Sequence, residues 1–475
     1  MLQSTLQSAL EQGARWLGRQ AQRLSPVQLD NPFLQTVYAP VSVETTADKL
    51  QVKGTIPAEL NGLLARIGPN PITPPKNPGT HHWFVGDGMV HGLRLADGEA
   101  LWYRNRWVGT DTVNQILGKP RAPGPRKGVA EAVNTNIIGH GGRLWTLVEA
   151  GALPVEMDQE LNTVKHGLFD SDRLLPFSAH PHLDPATGDL HAICYDALQL
   201  NRIYYQVIDK DCRLAHQVAI PVKHGPMIHD CAITATKVVV LDLPVTFSPK
   251  LVLRGASFPY QWNERHQARV GLLPHRGQPD QIRWFQLDPC FVFHTANAYD
   301  LEDGTVILDA VVHNRMFAGS IQGPDSQTIR FERWTLSPAS DSVKREILFD
   351  LPQEFPRYDE RLTGQPYRFA YGVGVGTDQL ARPNELYRMD LKTGTQISHR
   401  FGPTGISAEA VFLPRKSLGA EDDGWLLSYV YDVATERSSV VILNADDLDG
   451  EPQAVVELPV RVPMGFHGNW IPSAH

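Results

Sequence analysis

Along most of the chain, apolar residues alternate with polar ones or gather in short runs broken by Gly, Pro, Asn and Asp, the pattern of short strands joined by tight turns. The clearest case is Cys290-Phe291-Val292-Phe293-His294-Thr295-Ala296-Asn297-Ala298, then a turn at Asp303-Gly304 and a second apolar run, Thr305 to Asp309. This predicts a hairpin with one imidazole at its inner end. The arrangement recurs around His180, with a turn over Asp184 to Asp189 and a run from Leu190 to Tyr195, and around His229, with a run from Val238 to Leu243. Trp83 to Leu93 reads as strand, Gly86-Asp87-Gly88 turn and strand. Arg143 to Glu149 reads as a strand ending on a carboxylate, followed by a hairpin turning at Asp158 to Asn162. Taken alone, a histidine in such a strand is ordinarily a hydrogen-bonded core residue.

Helical periodicity is confined to the start. Residues 1–25 place Leu2, Leu6, Leu10, Trp16, Leu17 and Leu24 on or near one face and Arg15, Arg19 and Arg23 on another, ending at Ser25-Pro26. An amphipathic helix or tail is expected there, suited to a membrane interface or to docking on the main domain. Residues 26–475 are expected to form a single domain. Two segments fit no repeating hairpin: Pro120 to Gly128, an expected exposed loop, and Pro244 to Trp262, an apolar insertion carrying Lys250 and Arg254. Beside a channel mouth, that insertion suits contact with a membrane or entry of a lipophilic substrate.

Polar residues in comparable places within these hairpins are Glu149, His180, His229, His294, Glu354, Glu409 and His467, separated by 31, 49, 65, 60, 55 and 58 residues. Apart from the first step, each is the length of one four-stranded propeller blade with its loops. The expected fold is therefore all-β, a seven-bladed β-propeller with a loop and helical cap over the axial face. The 39 Gly and 36 Pro, spread through 475 residues, agree with many tight turns.

Charge and cysteine usage narrow the partners. A net charge of -8 without a Lys/Arg run argues against nucleic acid. Cys194, Cys212, Cys231 and Cys290 have neither CxxC spacing nor the density of a disulfide framework. With no signal-peptide run, a cytoplasmic location is expected, with peripheral membrane contact through 244–262 or 1–25. No Gly-rich dinucleotide loop or P-loop is present.

Four imidazoles converging on an axis bind a transition metal through neutral nitrogens. Carboxylates that accept the other ring N–H fix the tautomer and supply negative charge, a role open to Glu149, Glu354 and Glu409. An all-imidazole shell does not choose iron over zinc, copper or nickel. Eighteen histidines, among them His81, His82, His91, His140, His182, His191, His216, His224 and His313, leave other quartets open.

In these residues the sequence resembles the carotenoid cleavage oxygenases, from about Asn31 to Trp470. The matching motifs are Gly-Pro-Asn-Pro at 68–71, Gly-Asp-Gly-Met-Val at 86–90, Ala-His-Pro at 179–181, Ile-His-Asp at 228–230 and Phe-His-Thr-Ala-Asn at 293–297. Glu-Phe-Pro at 354–356, Tyr-Gly-Val-Gly at 371–374, Glu-Ala-Val-Phe at 409–412 and Phe-His-Gly at 466–468 complete the set. Their order and joint presence are specific. The resemblance implies Fe(II) held by His180, His229, His294 and His467, with Glu149, Glu354 and Glu409 behind them, and O2 as co-substrate. It also implies that Thr135 sets a small side chain beside the metal and limits access to one coordination site.

The reaction so implied is oxidative cleavage of a conjugated C=C bond to two carbonyl products. Relatives that cleave phenols resemble one another in carrying a Lys before the carboxylate at 149; here that residue is Val148. A carotenoid or apocarotenoid is the expected substrate, with stilbenes or phenylpropenoids such as lignostilbene and isoeugenol as the alternative. An isomerase or isomero-oxygenase of the same family and a propeller that binds a partner without catalysis are the further readings.

Overall fold

Seven antiparallel sheets of four or five strands, with one separate two-stranded hairpin, account for the strands among the described residues. The computed structural model describes residues 30–473 except 129–131, 321, 322, 324 and 377–381; of residues 1–29 it describes only 13, 16 and 20. The helix expected over 1–25 otherwise lies outside the described residues.

Each sheet is one blade. Its order runs from an edge strand at the axis to an edge strand at the rim, as in His182–Leu183, Leu190–Cys194, Arg202–Ile208 and Leu214–Pro221. The axial strands are Asn136–His140, His182–Leu183, Ala232–Ile233, Thr295–Asp300, Gln353–Tyr358, Gly405–Pro414 and Gly468–Pro472. A blade packed between neighbours is covered on both faces: in Ile329–Leu336, Ile329 and Phe331 are buried on one face and Trp334 and Leu336 on the other. The rim strand Lys344–Phe349 carries Lys344, Arg345 and Glu346, charges that discourage further strand pairing at that edge.

The ring is closed by both ends of the chain. Gly468–Pro472 pairs with Gly62–Pro69, from Gly62 opposite Pro472 to Arg66 opposite Gly468, and Gln51–Gly54 pairs with Ala454–Glu457.

Two local expectations change, and the apolar insertion, outside the blades as expected, takes a definite form. Trp83 to Val85 is not a strand but a turn closed by Val85 N–H donating to the His82 carbonyl at 3.0 Å. Three consecutive apolar residues have no polar face to offer water, and they pack inward instead: Trp83 lies at a tilt against Phe466 with ring centroids 4.6 Å apart. The loop 120–128 is largely at the surface, but Lys127 turns inward and is buried against Asp196 at 2.5 Å. The insertion at 244–262 forms the separate hairpin Val245–Phe247 and Tyr260–Trp262 with the short helix Pro249–Leu253 at its tip. Phe258 and Tyr260 face inward, and Leu253 is 73% exposed.

Candidate metal centre and cavity

Four imidazoles meet where the axial strands begin. His180, His229 and His294 lie just before their strands, and His467 immediately before Gly468–Pro472. One nitrogen from each lies within 4.8 Å of the others, and all four side chains are buried. Nε2 of His294 is 3.3 Å from Nε2 of His229 and 3.1 Å from Nε2 of His467. Nε2 of His180 is buried with no hydrogen-bond partner.

Behind the rings stand three carboxyl groups. His294 Nδ1 donates to Glu354 Oε2 at 2.6 Å, and His467 Nδ1 donates to Glu409 Oε1 at 3.1 Å. His229 Nδ1 is 2.8 Å from Glu149 Oε2, although the angle is poor for a hydrogen bond. A proton held at Nδ1 leaves a lone pair at Nε2. Lone pairs packed at about 3 Å repel unless a cation sits among them, so the donor set and the orphaned His180 nitrogen fit a bound transition metal.

Electrostatics agree with that tautomer pattern. Burial pushes the Glu354 carboxyl up, but the adjacent imidazoles, His294 foremost, outweigh it and hold the carboxyl well below its usual range. For Glu409 burial is likewise outweighed, by His467 and Arg357, and the value falls to about 2. Burial and the three neighbouring rings carry His180 far below the usual imidazole value. Burial also lowers His467, to about 4, against the pull of Glu409.

Thr135 belongs to the same ring. It stands at the head of the axial strand Asn136–His140, lines the cavity, and accepts the backbone N–H of His467 at 3.2 Å. Glu149 does not head an axial strand; it lies just beyond Arg143–Leu147, the second strand of that blade. The odd first step of 31 residues is thereby explained, since Thr135 precedes His180 by a blade-length 45 residues.

Four supporting residues escape the spacing argument. Tyr195 donates its hydroxyl to Glu149 Oε1 at 3.0 Å, and His313 Nε2 donates to Glu354 Oε1 at 2.5 Å. Arg357 lies 3.5 Å from Glu409 and donates to Asn469 at 2.8 Å. Asp230 accepts from His182 Nε2 and from the N–H and hydroxyl of Thr295, tying the element that carries His229 to the one that carries His294. Its signal is its adjacency to His229; the others are separated in sequence from what they touch.

The metal centre opens into a cavity of about 630 Å³. Trp83, Phe84, Phe258, Phe293, Phe317 and Phe466 supply much of its wall, and Val148 stands beside Glu149. Thr112 and Val252 reach it from the two short helices Asp111–Leu117 and Pro249–Leu253, the helical part of the expected cap. Among the described residues no helix is long and apolar enough to cross a membrane.

Fold and site together define a propeller whose axis carries a four-histidine metal centre beneath an apolar cavity. The family model described as retinal pigment epithelial membrane protein, RPE65, matches residues 38–472. A carotenoid cleavage oxygenase of Mycobacterium tuberculosis is 40% identical over 494 aligned residues, covering 93% of this chain and 98% of its own. Among solved structures, the lignostilbene dioxygenase of Pseudomonas brassicacearum superposes with a TM-score of 0.84 at 30% identity, covering 94% of this chain and 100% of its own. A cobalt-substituted apocarotenoid oxygenase of Synechocystis gives 0.81 at 27% identity, covering 91% and 97%. The chain belongs to the carotenoid cleavage oxygenase family, and it is an oxygenase.

Proposed function

We propose that His180, His229, His294 and His467 hold Fe(II) and that the protein uses O2 to cleave a conjugated C=C bond of a carotenoid or apocarotenoid. The carrying observation is the convergence of four imidazole nitrogens at the foot of a largely aromatic cavity with valine, not a cation, at 148. Bound there, iron would supply electron density to O2, and addition of both oxygen atoms across the alkene would leave an aldehyde or ketone on each fragment.

The rest falls to the chain's own residues. The four rings would hold the metal, with Glu354 and Glu409 hydrogen-bonded to Nδ1 of His294 and His467 and Glu149 beside Nδ1 of His229, an arrangement that keeps Nδ1 protonated and Nε2 available. Thr135, which lines the cavity beside the four rings, would narrow the approach to the metal. Phe317 packs edge to face on Phe293 and at a tilt on Phe258 beside the four histidines, excluding water and offering flat surfaces to a polyene. No side chain is needed as proton donor, because the net change adds two oxygen atoms and moves no proton.

The exposed Leu253, flanked by Lys250 and Arg254, is suited to resting against the membrane that stores such a substrate. We place the protein in the cytoplasm, as one propeller domain over 26–475, with this contact peripheral. Likeness to a lignostilbene dioxygenase over that enzyme's whole length, with the Tyr195 and Tyr260 hydroxyls near the cavity, favours a second reading, cleavage of stilbenes or phenylpropenoids.

Mass spectrometry of products from a panel of apocarotenals, lignostilbene and isoeugenol, with and without O2, separates the readings. Aldehydes of defined length from an apocarotenal, formed only with O2 and absent for His294→Ala together with its iron, are expected. Faster turnover of lignostilbene or isoeugenol than of every apocarotenal overturns the carotenoid reading, and a product of unchanged mass would indicate isomerisation.

A further inference from the structure

A second group of ligand-type side chains lies away from the axial histidines. Asp184, His191 and His275 each direct one ligand atom to within 4.8 Å of the other two. Asp184 follows the axial strand His182–Leu183, whereas His180 precedes it, so the group sits at the opposite end of that strand from the axial centre. His191 belongs to Leu190–Cys194 of the same blade, and His275 follows Arg269–Pro274 of the next. The cluster therefore spans the seam between two blades.

Hydrogen bonding fixes which atoms are available. His275 Nε2 is 3.1 Å from the Lys237 carbonyl, which can only accept, so Nε2 carries the proton and Nδ1 presents its lone pair. His191 Nδ1 is engaged with the Tyr205 hydroxyl at 2.7 Å; that oxygen accepts the Arg276 N–H at 3.1 Å and keeps a second lone pair, so in the metal-binding tautomer it accepts Nδ1–H and frees Nε2 as the outward atom. Asp184 is held by the Ala186 N–H at 2.9 Å and the Thr187 hydroxyl at 2.8 Å, one to each oxygen, and each oxygen keeps a further lone pair.

The two rings lie at a tilt with centroids 4.2 Å apart, yet no hydrogen bond joins the three groups to one another. Burial lowers His191 to about 3 and lowers His275 too, so both rings are neutral near pH 7. The cations nearby are occupied elsewhere: Arg276 pairs with Asp189 at 2.6 Å and Lys237 with Asp300 at 2.6 Å. Neutral imidazole nitrogens and a carboxylate thus face one another across a gap too wide for direct hydrogen bonds. Donors on a tetrahedral zinc-type ion with bonds of about 2 Å stand about 3.3 Å apart, so these three groups close on such an ion with a small side-chain shift.

We propose that Asp184, His191 and His275 form a second metal site, for a divalent ion of the zinc type, which clamps the two blades together and takes no part in cleavage. Two imidazoles and one carboxylate are a common zinc donor set, with water in the fourth position. The Lys237 carbonyl behind His275 plays the orienting part that ligand histidines usually require.

The test is titration of the iron-loaded protein with Zn2+ against a competing chromophoric chelator, with iron content, cleavage rate and thermal midpoint followed in parallel. One equivalent of zinc is expected to bind without loss of iron or activity and to raise the midpoint by a few degrees. His275→Ala and Asp184→Asn are expected to weaken binding at least tenfold and to abolish the rise while leaving the cleavage rate unchanged. No zinc uptake, uptake only in exchange for iron, or uptake undiminished in both variants overturns the proposal. Because iron and activity are read separately, failure here is distinct from failure of the cleavage assignment.

Discussion

His313 uses both of its ring nitrogens as donors. The Ser326 hydroxyl donates to the Arg315 carbonyl at 2.7 Å, so it accepts from His313 Nδ1 at 2.9 Å, while Nε2 donates to Glu354. Glu354 in turn holds His294, and the side chain of His313 is only 1% exposed. Replacing it with leucine leaves one carboxylate oxygen buried without its partner, a cost of about 1–3 kcal/mol. Loss of an outer hydrogen bond of this kind typically weakens metal binding about 10–100-fold. His313→Leu is therefore expected to retain less iron after dialysis against a chelator and to melt lower; iron retention equal to the unsubstituted protein would contradict the linkage. Sequence spacing leaves His313 as one histidine among many. Its place depends on the register of Thr295–Asp300 with Val306–His313, which a bulge between Thr295 and Ala298 interrupts, and on the isolated bridge between Phe291 and His313.

Among the strands, legibility follows how local the cause is. Hairpins with an Asp or Gly turn are readable because turn chemistry and alternation lie within a few residues, and Asp158 to Asn162 turns where expected between Val155–Met157 and Thr163–His166. Glu149 and Thr135 exchange roles in the axial pattern because a carboxylate is conspicuous in a sequence, while a threonine heading a strand is not. Trp83 to Val85 imitates a strand because packing against Phe466, remote in the chain, decides its path. A similar long-range contact explains Gly68, in Gly62–Pro69. A Cβ there would lie 2.4 Å from Gly465 Cα, backbone that leads directly to Phe466 and His467. Gly68→Ala must push these two segments apart, and overpacking of this kind costs about 1–3 kcal/mol. A lowered thermal midpoint is expected, accompanied by weaker iron retention because His467 moves with Gly465; a lowered midpoint with unchanged iron retention would mean that the shift is absorbed elsewhere.

At the scale of the ring, the seven-blade count is readable from repeat length, whereas its closure is not, because pairing between residues 62–66 and 468–472 leaves no local trace. The strand Gly62–Pro69 is buried at all eight positions, and Leu63, Ala65 and Ile67 share a core cluster with Ile471 of the closing strand. Burial of a large aliphatic side chain contributes about 1.5–3 kcal/mol, against a net stability of about 5–15 kcal/mol for a typical folded domain. Exposing several such residues, together with a row of unpaired backbone donors and acceptors, should remove most of that margin. A chain ending at Pro463 also loses His467, so the informative comparison is with full-length His467→Ala, which lacks the ligand but keeps the closing strand. The truncated chain is expected to show no cooperative thermal transition and rapid proteolysis, while His467→Ala unfolds in one sharp step without bound iron. Equal cooperativity in the two would mean that the pairing of Gln51–Gly54 with Ala454–Glu457 suffices to hold the ring, leaving the last strand to position His467 alone.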